Sequence, residues 1–188
     1  MKIVLASESQ FRKRAMDLLG IPYECRPSRI DEKAIRDDDP MELTRKIAEA
    51  KAHKVAGECP DAMIVSGDAV AAKGARIFEK PCSKGEAAEF LRDLSGSHFQ
   101  FVTSIAVLNA QTKRMLSTVE TSEIFFRPLL EREIQQYINR YDVLSYAGAF
   151  ENDAVLMFAE RIAGSYNPGT ALPPSRLIQM LRAQGVEV

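Results

Sequence analysis

The chain opens with an apolar run that passes through two serines into a basic helix-like stretch, MKIVLASESQFRKRAMDLLG. Ile3, Val4, Leu5 and Ala6 form a short strand-like run ending at Ser7 and Ser9. Arg12, Lys13 and Arg14 lie near the start of the helix that follows. Small hydroxyls, unpaired backbone N–H groups and cationic side chains therefore gather at one helix N-terminus. The macrodipole and the free amides make such a place a natural phosphate site. The rest of the sequence is to be read for groups that act on a phosphate ester.

Strands and helices continue to alternate. Gly20 suits the end of the first helix, and a short strand is expected around Tyr23–Arg26. Pro40 opens a long helix that carries Leu43, Ile47 and Val55 on one side and stops at Gly57. Ala62–Ala72 is an apolar strand interrupted by Gly67-Asp68, with a turn at Lys73-Gly74. Ser83 and Glu86 have capping-box spacing and start a helix to Leu94. Phe99–Asn109 and Met115–Arg127 are expected to form a long hairpin, rich in β-branched and aromatic residues. Glu131–Arg140 is a helix, Tyr146–Ala149 a small-residue loop, Val155–Phe158 a strand and Pro174–Gln184 the closing helix. The pattern is mixed α/β with a substantial antiparallel part, rather than a doubly wound parallel sheet.

At 188 residues and 46% hydrophobic, residues 1–188 can bury a real core as one domain, with room for two lobes. A formal net charge of -1 gives no basis for general nucleic-acid or membrane binding. No apolar run is long enough to span a bilayer and no secretory signal is visible, so the expected location is the cytoplasm. Cys25, Cys59 and Cys82 are isolated and odd in number, which argues against a disulfide framework. Two histidines, His53 and His98, are too few for a histidine-rich metal site. His98 is expected to be a hydrogen-bonded structural residue.

Asp68 follows Gly67 inside an apolar run, VSGDAVAA. A carboxylate there needs a partner, a metal or water; the plainer alternative is a bulge or turn with a locally bonded Asp. Glu32, with Asp31, precedes the long helix, and hard oxygens from separate segments suit Mg²⁺ together with phosphate oxygens. The alternative is a solvated acidic loop, the reading given to Asp37–Asp39. Lys51 (EAKAHK) and Lys80 (FEKP) could neutralise phosphate, although a lysine taken singly is more often solvated. No GxxxxGK[ST] loop and no ordered Ser–His–Asp triad is present.

In order along the chain, LASESQFR, RIDE, AKAHK, SGDAV, FEKP, LSGSHFQFVTSIAVLN and YAGAF resemble the Maf (septum-formation-inhibitor-like) family of nucleoside triphosphate pyrophosphatases. The similarity covers nearly the whole chain. It implies an ITPase-like α/β fold, with an elongated mixed sheet, flanking helices and two lobes around a nucleotide cleft, commonly as a homodimer. By motif, Ser7 and Arg12 would hold phosphates, Lys51 and Lys80 would neutralise them, and Glu32 and Asp68 would hold a divalent cation (Mg²⁺ or Mn²⁺). Asp68 would also accept the proton of the attacking water. The implied reaction cleaves a nucleoside triphosphate between its α- and β-phosphates, giving the monophosphate and pyrophosphate.

Three positions depart from the family pattern and bear on base choice: Phe11 in place of an arginine, Ala69 in place of a threonine, and Asp153 near a common glutamine. An aromatic and an acid at these places resemble the branch acting on 7-methyl-GTP, whose cationic base both would favour. A dTTP/UTP pyrophosphatase and a non-hydrolysing nucleotide-binding regulator are the alternatives, the latter suggested by Ala69. Ala171 also departs, standing where the family usually has Gly before Leu-Pro.

Overall fold

The computed structural model describes residues 1–151, 155–165 and 170–188. The N-terminal elements are β1 (Lys2–Leu5), α1 (Gln10–Leu19), β2 (Glu24–Cys25), α2 (Pro40–Glu58), β3 (Ala62–Lys73) and β4 (Arg76–Phe78). Then come α3 (Lys84–Leu94), β5 (His98–Asn109), β6 (Met115–Phe126), α4 (Glu131–Arg140), α5 (Val155–Phe158), β7 (Ala159–Gly164) and α6 (Pro174–Ala183). One sheet takes the strand order β2-β1-β3-β5-β6-β7, with β4 beside β3. β1 is parallel to β2 and β3, whereas β4 and β7 pair antiparallel with β3 and β6, so the sheet is mixed as expected.

The chain divides into two compact units. The first comprises Met1–Asp68, Thr103–Glu120 and Gly169–Val188. Its central strands, β1, β3 and β5, are buried on both faces, and their side chains alternate between two cores. Ile3, Leu5, Met63, Val65, Ile105 and Val107 pack with Ala15 and Met16 of α1 and Leu177, Met180 and Leu181 of α6. Val4, Ala6, Ile64, Ala106 and Leu108 turn the other way, onto Ala48, Ala52, Val55 and Ala56 of α2. The near-continuous apolar runs in the sequence follow from this two-sided cover.

The second unit, Ala69–Val102 and Thr121–Pro168, has a single aromatic core. Phe150 packs against Phe99, Phe101 and Phe126, and Phe158 against Phe126 and Tyr137. At the start of α4, the Arg127 guanidinium and the Leu130 amide hold the Glu133 carboxyl down at about 2. Among the described residues no helix is long and apolar enough to cross a membrane.

Four local expectations change. Val155–Phe158 is a helical turn, with the Val155 amide donating to the Glu151 carbonyl at 3.0 Å. The strand lies just beyond it, in the mostly exposed AERIAG segment that pairs with β6. Four apolar residues carry no period that separates helix from strand, and a half-exposed strand carries little apolar signal. Gly67-Asp68 does not interrupt β3, which runs through them unbroken. The acidic loop is partly structural: Asp39 caps α2 through the Met41 amide, and Asp37 pairs with Lys46. His98 stacks on Phe125 with centroids 5.5 Å apart, and the Arg161 guanidinium lies 3.9 Å from the same ring.

Ala171 sits at φ 48°, in the left-handed region, and positions the fully buried Leu172. A left-handed Cβ costs about 1–2 kcal/mol, part of which glycine gives back as unfolded-chain entropy. Ala171→Gly is therefore expected to raise stability by about 0.5–1 kcal/mol, read as a shift in urea midpoint at constant m-value.

Candidate active site

The long helix α2 buries residues in steps of four: Leu43 and Thr44, Ile47 and Ala48, Lys51 and Ala52, Val55 and Ala56. Lys51 thus occupies a position in the apolar stripe, and it is only 5% exposed. A lysine so placed needs compensation. Its Nζ lies 2.9 Å from Asp68 Oδ1 and 3.0 Å from Glu32 Oε2. The signal was present in the sequence, since Lys51 is four residues from both Ile47 and Val55.

Asp68 is 7% exposed, on β3. Its amide donates to Ser104 Oγ at 3.1 Å, and Ser104 donates in turn to the Thr44 carbonyl of α2 at 2.7 Å. Ser66 Oγ bonds the Ala48 carbonyl, one turn further along, at 2.6 Å. Two buried hydroxyls therefore fasten α2 to the strands at the level where Lys51 meets Asp68. The sequence reading missed both, because serines in apolar strands carry no pattern of their own. Gly67 has its own reason: a Cβ there would lie 2.5 Å from Leu172 Cδ2 and 2.6 Å from the Ser104 carbonyl oxygen. Only glycine lets these segments meet so closely.

Glu32 begins a short 3₁₀ turn, Glu32–Ala34, whose N-cap is Asp31. The Asp31 carboxylate accepts the Lys33 amide at 3.1 Å through Oδ1, as the cap of this turn. The half-exposed Glu32 carboxylate reaches Lys51. The cluster holds two carboxylates against one ammonium and carries an excess negative charge. Among the described residues no group of three His, Cys, Asp or Glu is arranged for a metal. Two hard carboxylates suit a cation that takes its remaining ligands from water and phosphate, which is the habit of Mg²⁺.

The anion side adjoins this cluster. Ser7, buried where β1 ends, accepts the Ser9 amide at 3.2 Å and Arg12 Nη1 at 3.3 Å. Ser9 precedes α1 and makes no side-chain cap. Among the described residues the buried Arg12 Nε has no hydrogen-bond partner, and it lies 3.6 Å from the place a Gly67 Cβ would take. An unmet cationic N–H at a helix N-terminus is suited to an oxygen anion.

Ser7, Arg12, Glu32, Lys51 and Asp68 therefore share the first unit, with Gly67-Asp68 between the acidic and basic sides. Lys80 is exposed and belongs to the second unit, after β4. Ala69 also belongs to the second unit and packs against its aromatic core. Phe11 is half-buried on α1, next to Arg12. Asp153 lies outside the described residues.

The family model for Maf-like proteins matches residues 2–184. A protein of Pelotomaculum thermopropionicum named dTTP/UTP pyrophosphatase is 32% identical over 188 residues, covering 100% of this chain and 98% of that one. Among solved structures, the Mycobacterium abscessus nucleoside-triphosphatase (dITP/XTP pyrophosphatase) is 14% identical, covers 100% of both chains and has a TM-score of 0.46. The Staphylococcus aureus Ham1 protein is 16% identical, covers 67% of this chain and 72% of its own, and has a TM-score of 0.45. Neither structural likeness carries functional weight at such scores. With the family pattern matched from the first strand to the closing helix, and a relative aligned along its full length, this chain belongs to the Maf family.

Proposed function

We propose that the Lys51-bridged carboxylates and the Ser7–Arg12 corner form the site at which a nucleoside triphosphate is cleaved to its monophosphate and pyrophosphate. As a Maf-family member the chain is a nucleoside triphosphate pyrophosphatase. The observation that carries the site is the meeting of Asp68, Lys51 and Glu32 within 3.0 Å contacts, beside the unmet Arg12 Nε.

Lys51 holds Asp68 Oδ1, and among the described residues Oδ2 has no partner. That oxygen can take the proton of a water whose oxygen attacks the α-phosphorus. The bond to the bridging oxygen then breaks, and its electron pair leaves with pyrophosphate. Ser7, Arg12 and the first amides of α1 bind and orient phosphate oxygens. Glu32 and Asp68 would hold a divalent cation, Mg²⁺ or Mn²⁺, which when bound offsets charge on the phosphate oxygens.

dTTP and UTP are the first substrates to test, because the full-length relative bears that name. The second reading, 7-methyl-GTP, rests on Phe11 beside Arg12 and on Asp153. Both readings are decided by one experiment: pure protein with Mg²⁺, a panel of dTTP, UTP, 7-methyl-GTP and the common triphosphates, and an assay for pyrophosphate. The expected result is pyrophosphate in step with the monophosphate, fastest with dTTP or UTP. A preference for 7-methyl-GTP would move the base assignment to Phe11 and Asp153. Tight binding without release from any triphosphate would overturn hydrolysis in favour of a regulator.

A further inference from the structure

We infer that Ser104 is a positioning residue, whose hydroxyl fixes the backbone of Asp68 and the register of α2 so that Asp68 and Lys51 stay in contact. Ser104 is fully buried on β5, far in sequence from both partners. A serine hydroxyl offers one proton and two acceptor sites. Here it accepts the Asp68 amide at 3.1 Å and donates to the Thr44 carbonyl at 2.7 Å, with the Asp68 carbonyl 3.4 Å away. One atom thus joins β3, β5 and α2 at the residue carrying the reactive carboxylate and seven residues before Lys51. The Ser104 carbonyl also lies 2.6 Å from the position of a Gly67 Cβ, so the same residue limits Gly67 and holds Asp68. Ser66 supplies the comparison: equally buried, its hydroxyl bonds only the Ala48 carbonyl among the described residues and makes no bond to Asp68.

Ser104→Ala leaves the Asp68 amide buried without an acceptor, whereas Ser66→Ala removes a helix contact only. The test measures amide hydrogen exchange by NMR, alongside kcat and KM for pyrophosphate release. In Ser104→Ala the Asp68 amide is expected to exchange about tenfold faster or more, with Ile64 and Val65 unchanged. kcat is expected to fall about tenfold or more while KM moves less than about twofold, as for a displaced reactive group. Ser66→Ala is expected to lower the unfolding midpoint and leave Asp68 exchange as in the wild type. Ser104→Cys keeps the volume and offers only a weak acceptor, so it shows the same defect in smaller measure and serves if the alanine variant does not fold. Wild-type exchange at Asp68 in both Ser104 variants overturns the inference, as does an equal defect in Ser66→Ala. The kinetic arm rests on the pyrophosphatase reading. If the wild-type protein releases no pyrophosphate, that reading fails, and the exchange measurement still decides the role of Ser104.

Discussion

Asp68→Asn is expected to lower kcat for pyrophosphate release about 10³-fold, within the range that a positioned proton acceptor supplies. The substitution is nearly isosteric. The amide oxygen of asparagine can still accept from Lys51 Nζ, now 2.9 Å from Asp68 Oδ1, and the backbone amide keeps its bond to Ser104. Folding should therefore be retained, and the thermal midpoint and circular dichroism check this directly. Asparagine takes no proton from water and brings less negative charge to a cation. Raising Mg²⁺ separates the two losses. A variant that stays slow at saturating Mg²⁺ has lost its proton acceptor, and one that recovers has lost only a ligand. Wild-type turnover in Asp68→Asn would remove Asp68 from the reaction.

The fold was legible wherever local and tertiary preferences agree. β1 and α1 are set by an apolar run, a serine break and a terminating Gly20 in the left-handed conformation. α4 follows its expected bounds, Glu131–Arg140, because one face alone is apolar: Ile134, Tyr137 and Ile138. Legibility failed where burial is shared with the backbone. β7 is the mostly exposed AERIAG, with too few apolar residues to signal a strand, and is defined by its pairing with β6. At the site, Asp68 and Glu32 were visible as acids out of place, and Arg12 as a cation after a serine turn. What joins them was not visible. Lys51 looked like one of several lysines until the period of α2 placed it in the buried stripe, and Ser104 acts on Asp68 across 36 residues of sequence. Of the three positions expected to bear on base choice, Phe11, Ala69 and Asp153, Ala69 packs against the aromatic core of the second unit. A side chain's neighbour in the chain says little about its neighbour in space along a strand, where successive residues face opposite ways.

Lys51→Met is expected to destabilise the protein by about 3 kcal/mol or more, the usual result of removing one partner from a buried ion pair. Methionine keeps the unbranched stem of lysine as far as Cε and lacks only the ammonium, so little of the cost comes from a cavity. It comes from Asp68, whose side chain is 10% exposed and would lose its ammonium while facing a second carboxylate at Glu32. Glu32, 46% exposed, can turn toward water and adds little. The decisive measurement is therefore a double-mutant cycle by urea unfolding. Asp68→Asn in the Lys51→Met background removes the stranded charge and should recover about 1–3 kcal/mol, whereas the same change in the wild type should gain nothing. Additive losses, or a Lys51→Met variant as stable as the wild type, would show that Lys51 does not compensate Asp68. If the coupling is found, the two functions of the lysine are one: the charge that makes a buried Asp68 tolerable in the fold also keeps that carboxylate in place for the reacting water.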